Sequence, residues 1–240
     1  MTPIQKQALI GVIVAVCSYF FGNINWAIAI SKMKGRDIRK CGSGNPGTMN
    51  MLRSFGKALG VLTLVLDVMK GVVPCILGWL FMGDGEFCKF GDNYIGMYVA
   101  GFAAVLGHIY PVTMKFKGGK GAASIIGVCL TIQPLYTVGF FVVGVLFLFV
   151  TKIGSLTSFI IIVGPMTAEG VMAAGSSPWE LAVISSTLVF ATFALSLFAH
   201  RSNLVKLFSG REGQVVLKKS KKAKPQIDRS VLFDDRLIAE

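Results

Sequence analysis

The chain has 240 residues, of which 53% are hydrophobic and only 15% charged, and its mean hydropathy is +0.67. A soluble domain carries about a quarter charged residues, so these proportions exclude a soluble globular protein and describe an integral membrane one. The formal net charge of +12 comes from basic residues that flank apolar runs, the pattern of membrane topology and anionic headgroups; with no base-reading module beside it, no nucleic acid partner is expected.

Apolar runs fall at about 8–30, 57–82, 94–112, 121–137, 138–151, 155–173 and 179–199, and a full crossing takes roughly 20 residues. In the first, Ala27-Ile28-Ala29 has the form of a signal-peptide cleavage site. The run is longer than a signal core, however, and Lys32, Lys34, Arg36, Arg39 and Lys40 follow at once. Those charges oppose translocation, so the run reads as an anchor. Then comes Cys41-Gly42-Ser43-Gly44-Asn45-Pro46-Gly47-Thr48-Met49-Asn50-Met51-Leu52-Arg53. Its glycines let main-chain N–H groups converge on an anion. Asn50 to Arg53 are expected to open the second span, whose first N–H groups also favour negative charge. An ordinary cytoplasmic turn is the alternative.

Asp67 and Lys70 share a face of the second span and can pair. Such intramembrane charges either hold the bundle or support a site; their depth favours the structural role. The third span ends in Gly107-His108-Ile109-Tyr110-Pro111, and Phe116-Lys117-Gly118-Gly119-Lys120-Gly121 follows. This is not a Walker A loop, because the GxxxxGK[ST] spacing is absent, but lysines beside approachable backbone suit a phosphate. The next two runs are short and abut at Gln133-Pro134, a helix break. They fit two short crossings, a re-entrant hairpin or one bent helix.

Ser155 and Ser158 open the sixth span and supply hydroxyl donors or helix caps. Glu169, near the outer end of that span, is an interfacial acid. His200 ends the seventh span in His200-Arg201-Ser202-Asn203, and both histidines of the chain thus fall at cytoplasmic helix ends. The tail from about 212 is polar and basic and carries no assigned chemistry. The five cysteines are scattered without metal-ligand spacing, and no metal or cofactor is expected.

Charge sets the topology. Seven Lys/Arg lie in 31–57, three in 113–121, one at Lys152 and ten from 200 onward, out of 24, whereas the 83–93 loop carries Asp84, Glu86 and Asp92 against one lysine. Placing these cations in the cytoplasm requires 121–151 to return to its starting side, which excludes a single crossing there. The expected fold is all-α and integral to the membrane, with seven transmembrane helices, the N-terminus outside and the C-terminus cytoplasmic. Residues 1–212 form the transmembrane domain and 213–240 a basic cytoplasmic tail.

Three separated motifs, Gly-Ser-Gly-Asn-Pro-Gly-x-x-Asn-x-x-Arg, Gly-His-x-Tyr-Pro-x-x-x-x-Phe-Lys-Gly-Gly-Lys-Gly and His-Arg-x-Asn, occur in order here together with Asp67-Val68-Met69-Lys70-Gly71. Over about residues 8–212 the chain resembles the bacterial PlsY family, the acyl-phosphate:glycerol-3-phosphate acyltransferases. The resemblance implies a monomeric, multi-pass protein of the bacterial cytoplasmic (inner) membrane with a cytoplasmic active site. Its reaction would move a fatty acyl group from acyl phosphate to the 1-hydroxyl of sn-glycerol 3-phosphate, giving lysophosphatidic acid and phosphate, the first acylation step of phospholipid synthesis. Ser43, Gly44, Asn45, Gly47, Thr48, Asn50, Lys117, Gly118, Gly119 and Gly121 would hold the acyl phosphate. Arg53, Lys120, Ser155, Ser158, His200 and Asn203 would receive glycerol 3-phosphate, and Glu212 falls in the last motif. His108, Lys120 and Arg53 would be catalytic. Thr48 and Met49 stand where the family has a small residue followed by Thr or Asn, so Thr48 is left to supply the hydroxyl of that stretch.

An acyl phosphate is already activated, so direct transfer without an acyl-enzyme is expected. The proton goes to His108 as general base or to a substrate phosphate oxygen. A transporter of a phosphorylated solute is the rival reading; it fits less well because transport sites sit near the midplane, whereas these charges gather at one face.

Overall fold

The computed structural model describes residues 1–82, 95–175 and 179–209; the acidic 83–93 loop, Glu212 and the 213–240 tail lie outside the described residues. All regular structure among the described residues is helical. Helix α1 (Pro3–Gly22) starts with a capping box, in which Thr2 Oγ1 accepts from the Gln5 N–H at 3.2 Å and Gln5 Oε1 accepts from the Thr2 N–H at 2.9 Å. It breaks at Asn23-Ile24-Asn25, and Asn25 caps α2 (Trp26–Met33) by accepting from the Ile28 N–H at 3.0 Å.

Helix α3 (Thr48–Phe55) is separate from α4 (Lys57–Met82). This corrects the expectation that Asn50–Arg53 open the second span. Gly56 lies between them at φ 92°, a left-handed conformation that favours glycine and turns the chain before α4 can begin. The remaining helices are α5 (Ile95–Ile109), α6 (Ala122–Ile132), α7 (Pro134–Thr151), α8 (Gly154–Ala174), α9 (Trp179–Ala199) and α10 (Arg201–Phe208). Pro134 stands at the first position of α7, where a missing N–H costs nothing, and so divides α6 from α7.

Among the described residues, six helical segments are long and apolar enough to cross a membrane: Ile4–Met33, Lys57–Met82, Ile95–Met114, Pro134–Thr151, Gly154–Ala174 and Trp179–Ala199. Helix α6 is apolar too but has 11 residues, a rise of about 16 Å against a hydrocarbon core of about 30 Å. Helix α5 is the innermost, packed against α1, α4, α6 and α9. Small residues bring the backbones together, as membrane helices require in place of a hydrophobic drive. Gly78 of α4 faces Gly96 of α5, and Gly71 of α4 faces the Ser124–Val128 backbone of α6, with no room for a Cβ at either glycine. The outward side of α7 presents Leu146, Phe149 and Val150, a lipid-facing surface.

Candidate active site

Between α2 and α4 the chain forms a compact loop. Asp37 caps a single 3₁₀ turn (Ile38–Lys40) and grips the Arg39 guanidinium, Nη2 to Oδ2 at 2.6 Å. That hydrogen-bonded cation lowers the Asp37 carboxyl to about 2. Gly42 and Gly44 then take φ 54° and 73°, the left-handed region, which lets the loop fold over the Asn50 side chain. Asn50, 2% exposed, donates to the carbonyls of Cys41 at 2.9 Å, Asn45 at 3.0 Å and Ile38 at 3.3 Å, and accepts from the Ser43 N–H at 3.2 Å. Its amide is therefore fully occupied in shaping the loop, which moves Asn50 from the expected substrate contacts to the frame that holds them.

The second loop is fastened to the end of α5. Tyr19 of α1 donates to the Tyr110 carbonyl at 2.8 Å and accepts from the Val112 N–H at 3.1 Å. Lys115 and Phe116 take φ 53° and 59°, and the chain doubles back so that Gly118 donates to Ile109 and Gly119 to His108, each at 3.1 Å. A Cβ on Gly119 would meet the His108 imidazole. Gly119 backs that ring, and it does not line the cavity that the other expected residues share.

That cavity measures about 1080 Å³, the upper end of small-molecule sites at roughly 300–1,000 Å³. It gathers Ser43, Gly44, Asn45, Gly47, Thr48, Asn50 and Arg53 from the first loop and α3, and His108, Lys117, Gly118, Lys120 and Gly121 from the second. Ser155 and Ser158 of α8 and His200 and Asn203 complete it. Gly121 and Gly154 both line it, so the α6–α7 pair leaves and returns to the same cavity. Lys120 Nζ donates to Asn203 Oδ1 and joins the second loop to α10. Ser158 donates to the Gly154 carbonyl at 3.0 Å, and the position preceding α8 is Ile153, so neither serine caps the helix.

Two corrections concern how the site is equipped. The N–H groups of Ser43, Gly44 and Gly47 are spent on the Asn50 side chain and the carbonyls of Cys41 and Asn45, and those of Gly118 and Gly119 on the last carbonyls of α5, Ile109 and His108. The glycines thus serve close approach. The amide N–H groups of Asn45, Thr48 and Gly121 make no hydrogen bond among the described residues. The Thr48 hydroxyl is buried without a partner in the cavity wall. The second correction is Asp67 and Lys70: Asp67 lines the cavity, and Lys70 Nζ lies 3.1 Å from Asp67 Oδ1 and 2.9 Å from His108 Nδ1. The pair supports the site as well as the bundle.

Sequence reasoning also passed over Arg39, Thr157 and Lys206, which line the cavity. Lys206 follows Asn203 by three residues, one helical face, and that spacing was the available signal. Arg39, Arg53, Lys117, Lys120 and Lys206 face one lining acid, Asp67, which Lys70 neutralises. A cavity so charged takes an anion. His200, 2% exposed, has its pKa lowered by burial, which outweighs the opposing hydrogen bond to the Ser196 carbonyl, with the nearby Lys120 cation acting in the same direction as burial. Among the described residues no cluster of His, Cys, Asp and Glu has the makings of a metal site.

The family model for glycerol-3-phosphate acyltransferase matches residues 12–210. A glycerol-3-phosphate acyltransferase of Thermosipho melanesiensis is 38% identical over 195 residues, covering 81% of this chain and 87% of that one. The one from Thermoanaerobacter pseudethanolicus is 35% identical over 205 residues, covering 85% and 95%. The crystal structure of PlsY (YgiH), an integral membrane glycerol 3-phosphate acyltransferase, in its glycerol 3-phosphate form matches with a TM-score of 0.72 at 31% identity, covering 85% of this chain and 94% of that one. Its lysophosphatidic acid form matches at 0.71 and 30% over the same shares. With sequence and fold agreeing over most of the chain, the protein belongs to the glycerol-3-phosphate acyltransferase family, as an integral membrane acyltransferase of the PlsY type.

Proposed function

We propose that this acyltransferase moves a fatty acyl group from an acyl phosphate to the 1-hydroxyl of sn-glycerol 3-phosphate, releasing lysophosphatidic acid and inorganic phosphate. One observation carries the reading: the cation-rich mouth is continuous with an apolar trough lined by Val61, Leu64, Ile126, Phe141, Val145 and Leu148. A phosphate esterified to a long hydrocarbon chain needs both halves, and a soluble phosphorylated solute needs only the first. The rival reading as a transporter falls with the family assignment.

The phosphoryl group of the donor sits against Ser43, Asn45, Thr48, Lys117 and Gly121, with Gly44, Gly47, Gly118 and Gly119 allowing the approach and Asn50 holding the loop. Glycerol 3-phosphate sits against Arg53, Lys120, Ser155, Ser158, His200 and Asn203. Its hydroxyl oxygen attacks the acyl carbonyl carbon, the ester C–O bond forms, the C–O bond to phosphate breaks with its electron pair leaving on phosphate, and the hydroxyl proton passes to His108 or to a substrate phosphate oxygen. Orientation of two bound reactants supplies about 7–11 kcal/mol, and each donor aimed at developing charge about 2.7–4 kcal/mol. No acyl-enzyme is needed because the mixed anhydride is already activated.

We further propose seven crossings, with α6 the short one, the N-terminus outside and the C-terminus in the cytoplasm, in the bacterial inner membrane. The positive-inside distribution and the return of the α6–α7 pair to one cavity support this. We also propose that the protein acts as a monomer and that 213–240 is a basic cytoplasmic tail. Purified protein given palmitoyl phosphate and glycerol 3-phosphate should form lysophosphatidate and phosphate one for one. Absence of product sinks the reading, and radiolabelled acyl chain retained on denatured protein sinks direct transfer.

A further inference from the structure

Helix α10 turns two stripes toward two different surroundings. Asn203 and Lys206, three positions apart and so on one stripe, line the cavity, and Asn203 holds Lys120. Val205 and Phe208 are 68% and 85% exposed. Helical spacing puts them on the opposite side of α10 from Asn203 and Lys206, in one stripe with Arg201. The Arg201 guanidinium lies 4.2 Å over the Phe198 ring, itself exposed. No residue of α10 is buried, so the helix leans on the bundle without being enclosed by it. Helix α10 ends at Phe208 and the family match at residue 210. Beyond them come Val215-Val216-Leu217 and then Lys218-Lys219-Ser220-Lys221-Lys222-Ala223-Lys224, five cations in seven residues without an acid. The chain from Ser209 to Lys218 reaches at most about 30 Å, which keeps these lysines near the cavity mouth.

We infer that the outward stripe of α10 and the basic segment 218–224 form a docking surface for anionic phospholipid headgroups, and that this contact seats α10 against the cavity. Exposed apolar side chains beside cations are what an interfacial helix sinks into the headgroup boundary, and its hold grows with apolar area and with anionic lipid. Each lysine near an anionic bilayer surface strengthens association about fivefold, so five together give on the order of 10³-fold. The other place within reach, the cavity, is lined by Arg39, Arg53, Lys117, Lys120 and Lys206 and repels the segment. Charge therefore directs the lysines to lipid. Because the stripe of α10 opposite the docking surface carries Asn203 and Lys206, the charge of the membrane is linked to the place proposed for glycerol 3-phosphate. The docking stands without the acyl-phosphate reading; its effect on turnover rests on that reading.

The test places the full chain, one copy per nanodisc, in phosphatidylcholine alone or in phosphatidylcholine mixed with phosphatidylglycerol, at physiological ionic strength. Limited trypsin digestion read by mass spectrometry reports how accessible Lys218 to Lys224 are. Cleavage there should be at least about tenfold slower on the phosphatidylglycerol discs, and the protection should vanish in 1 M salt, where the screening length falls to about 3 Å. Equal cleavage on both lipids overturns the inference. So does protection that appears only when two copies share a disc, which would assign the surface to self-association. Val205→Ser with Phe208→Ser should weaken the protection several-fold, and unchanged protection removes α10 from the surface. In turnover, the KM for glycerol 3-phosphate should be several-fold lower on the phosphatidylglycerol discs, although an anionic surface by itself repels that substrate. Lys218→Gln, Lys219→Gln, Lys221→Gln, Lys222→Gln and Lys224→Gln together should abolish the difference and leave the rate on neutral discs unchanged. A difference that survives this replacement contradicts the seating of α10. A protected segment in a protein that makes no lysophosphatidate on either lipid would sink the acyl-phosphate reading and leave the docking in place.

Discussion

Asp67 and Lys70 on α4 and Glu169 on α8 are all buried among apolar helices, yet their surroundings differ. Asp67 and Lys70 adjoin a histidine and open onto the 1080 Å³ cavity. Glu169 accepts from the Tyr98 hydroxyl and borders a void of about 20 Å³, room for roughly one water molecule. The first cluster lies in the wall of a cavity large enough for a substrate; the second ends in a carboxyl oxygen without a hydrogen-bond partner among the described residues, beside a void that is not. Intramembrane charge is costly in both places. The difference teaches that what an ionisable group borders, and not its burial, separates a working residue from a tie between helices.

The sharpest contrast should appear in stability. Lys70→Met strands the Asp67 carboxylate, which costs about 3–5 kcal/mol, whereas Glu169→Leu strands only the Tyr98 hydroxyl at about 1–3 kcal/mol. Melting temperatures of the purified variants should fall in that order, and equal losses would erase the distinction. Activity should separate the regions next. Lys120→Ala and Arg53→Ala should each lose about 10²–10³-fold in turnover with expression intact, while Glu169→Gln, which preserves the Tyr98 bond, should stay within about twofold of wild type; initial rates of lysophosphatidate formation measure both.

Asn50→Ala tests the frame rather than the cations. Losing the amide that holds the Cys41–Gly47 turn should cost about 1–3 kcal/mol, read as a rise of roughly ten- to a hundredfold in KM for acyl phosphate and little change in KM for glycerol 3-phosphate. The smallest effect is one of pH. Because His200 has a lowered pKa in the folded protein, the unfolded chain binds more protons on acidification. Its contribution to stability is complete above about 6.5 and is lost as the pH falls from there toward the lowered folded value. Melting temperature against pH should therefore be flatter for His200→Gln than for wild type over that range.

Much of this was legible in the residues themselves. Apolar runs separated by cations announce membrane helices, and glycine with lysine or arginine between them announces an anion site at one face. Ser43, Lys117, His200 and Asn203 duly meet in one cavity. What stayed hidden depended on distance or on a single dihedral. The bond from Lys70 to His108 spans 38 positions and the one from Tyr98 to Glu169 spans 71, and no local spacing encodes either. Whether α3 continues into α4 turns on the φ of Gly56. The glycine loops looked like cradles of free N–H groups, but a tight turn satisfies its own amides first. Arg39 and Lys206 were hidden among charges that topology alone would place there.

The most direct test is equilibrium binding of two ligands at once, an unreactive acyl phosphonate and glycerol 3-phosphate, followed by calorimetry on the purified protein. With both phosphates in one cavity at separate places, saturating phosphonate should leave glycerol 3-phosphate binding intact, and lysophosphatidate should compete with each. Mutual exclusion of the two ligands would contradict a shared pocket that transfers the acyl group directly from one to the other.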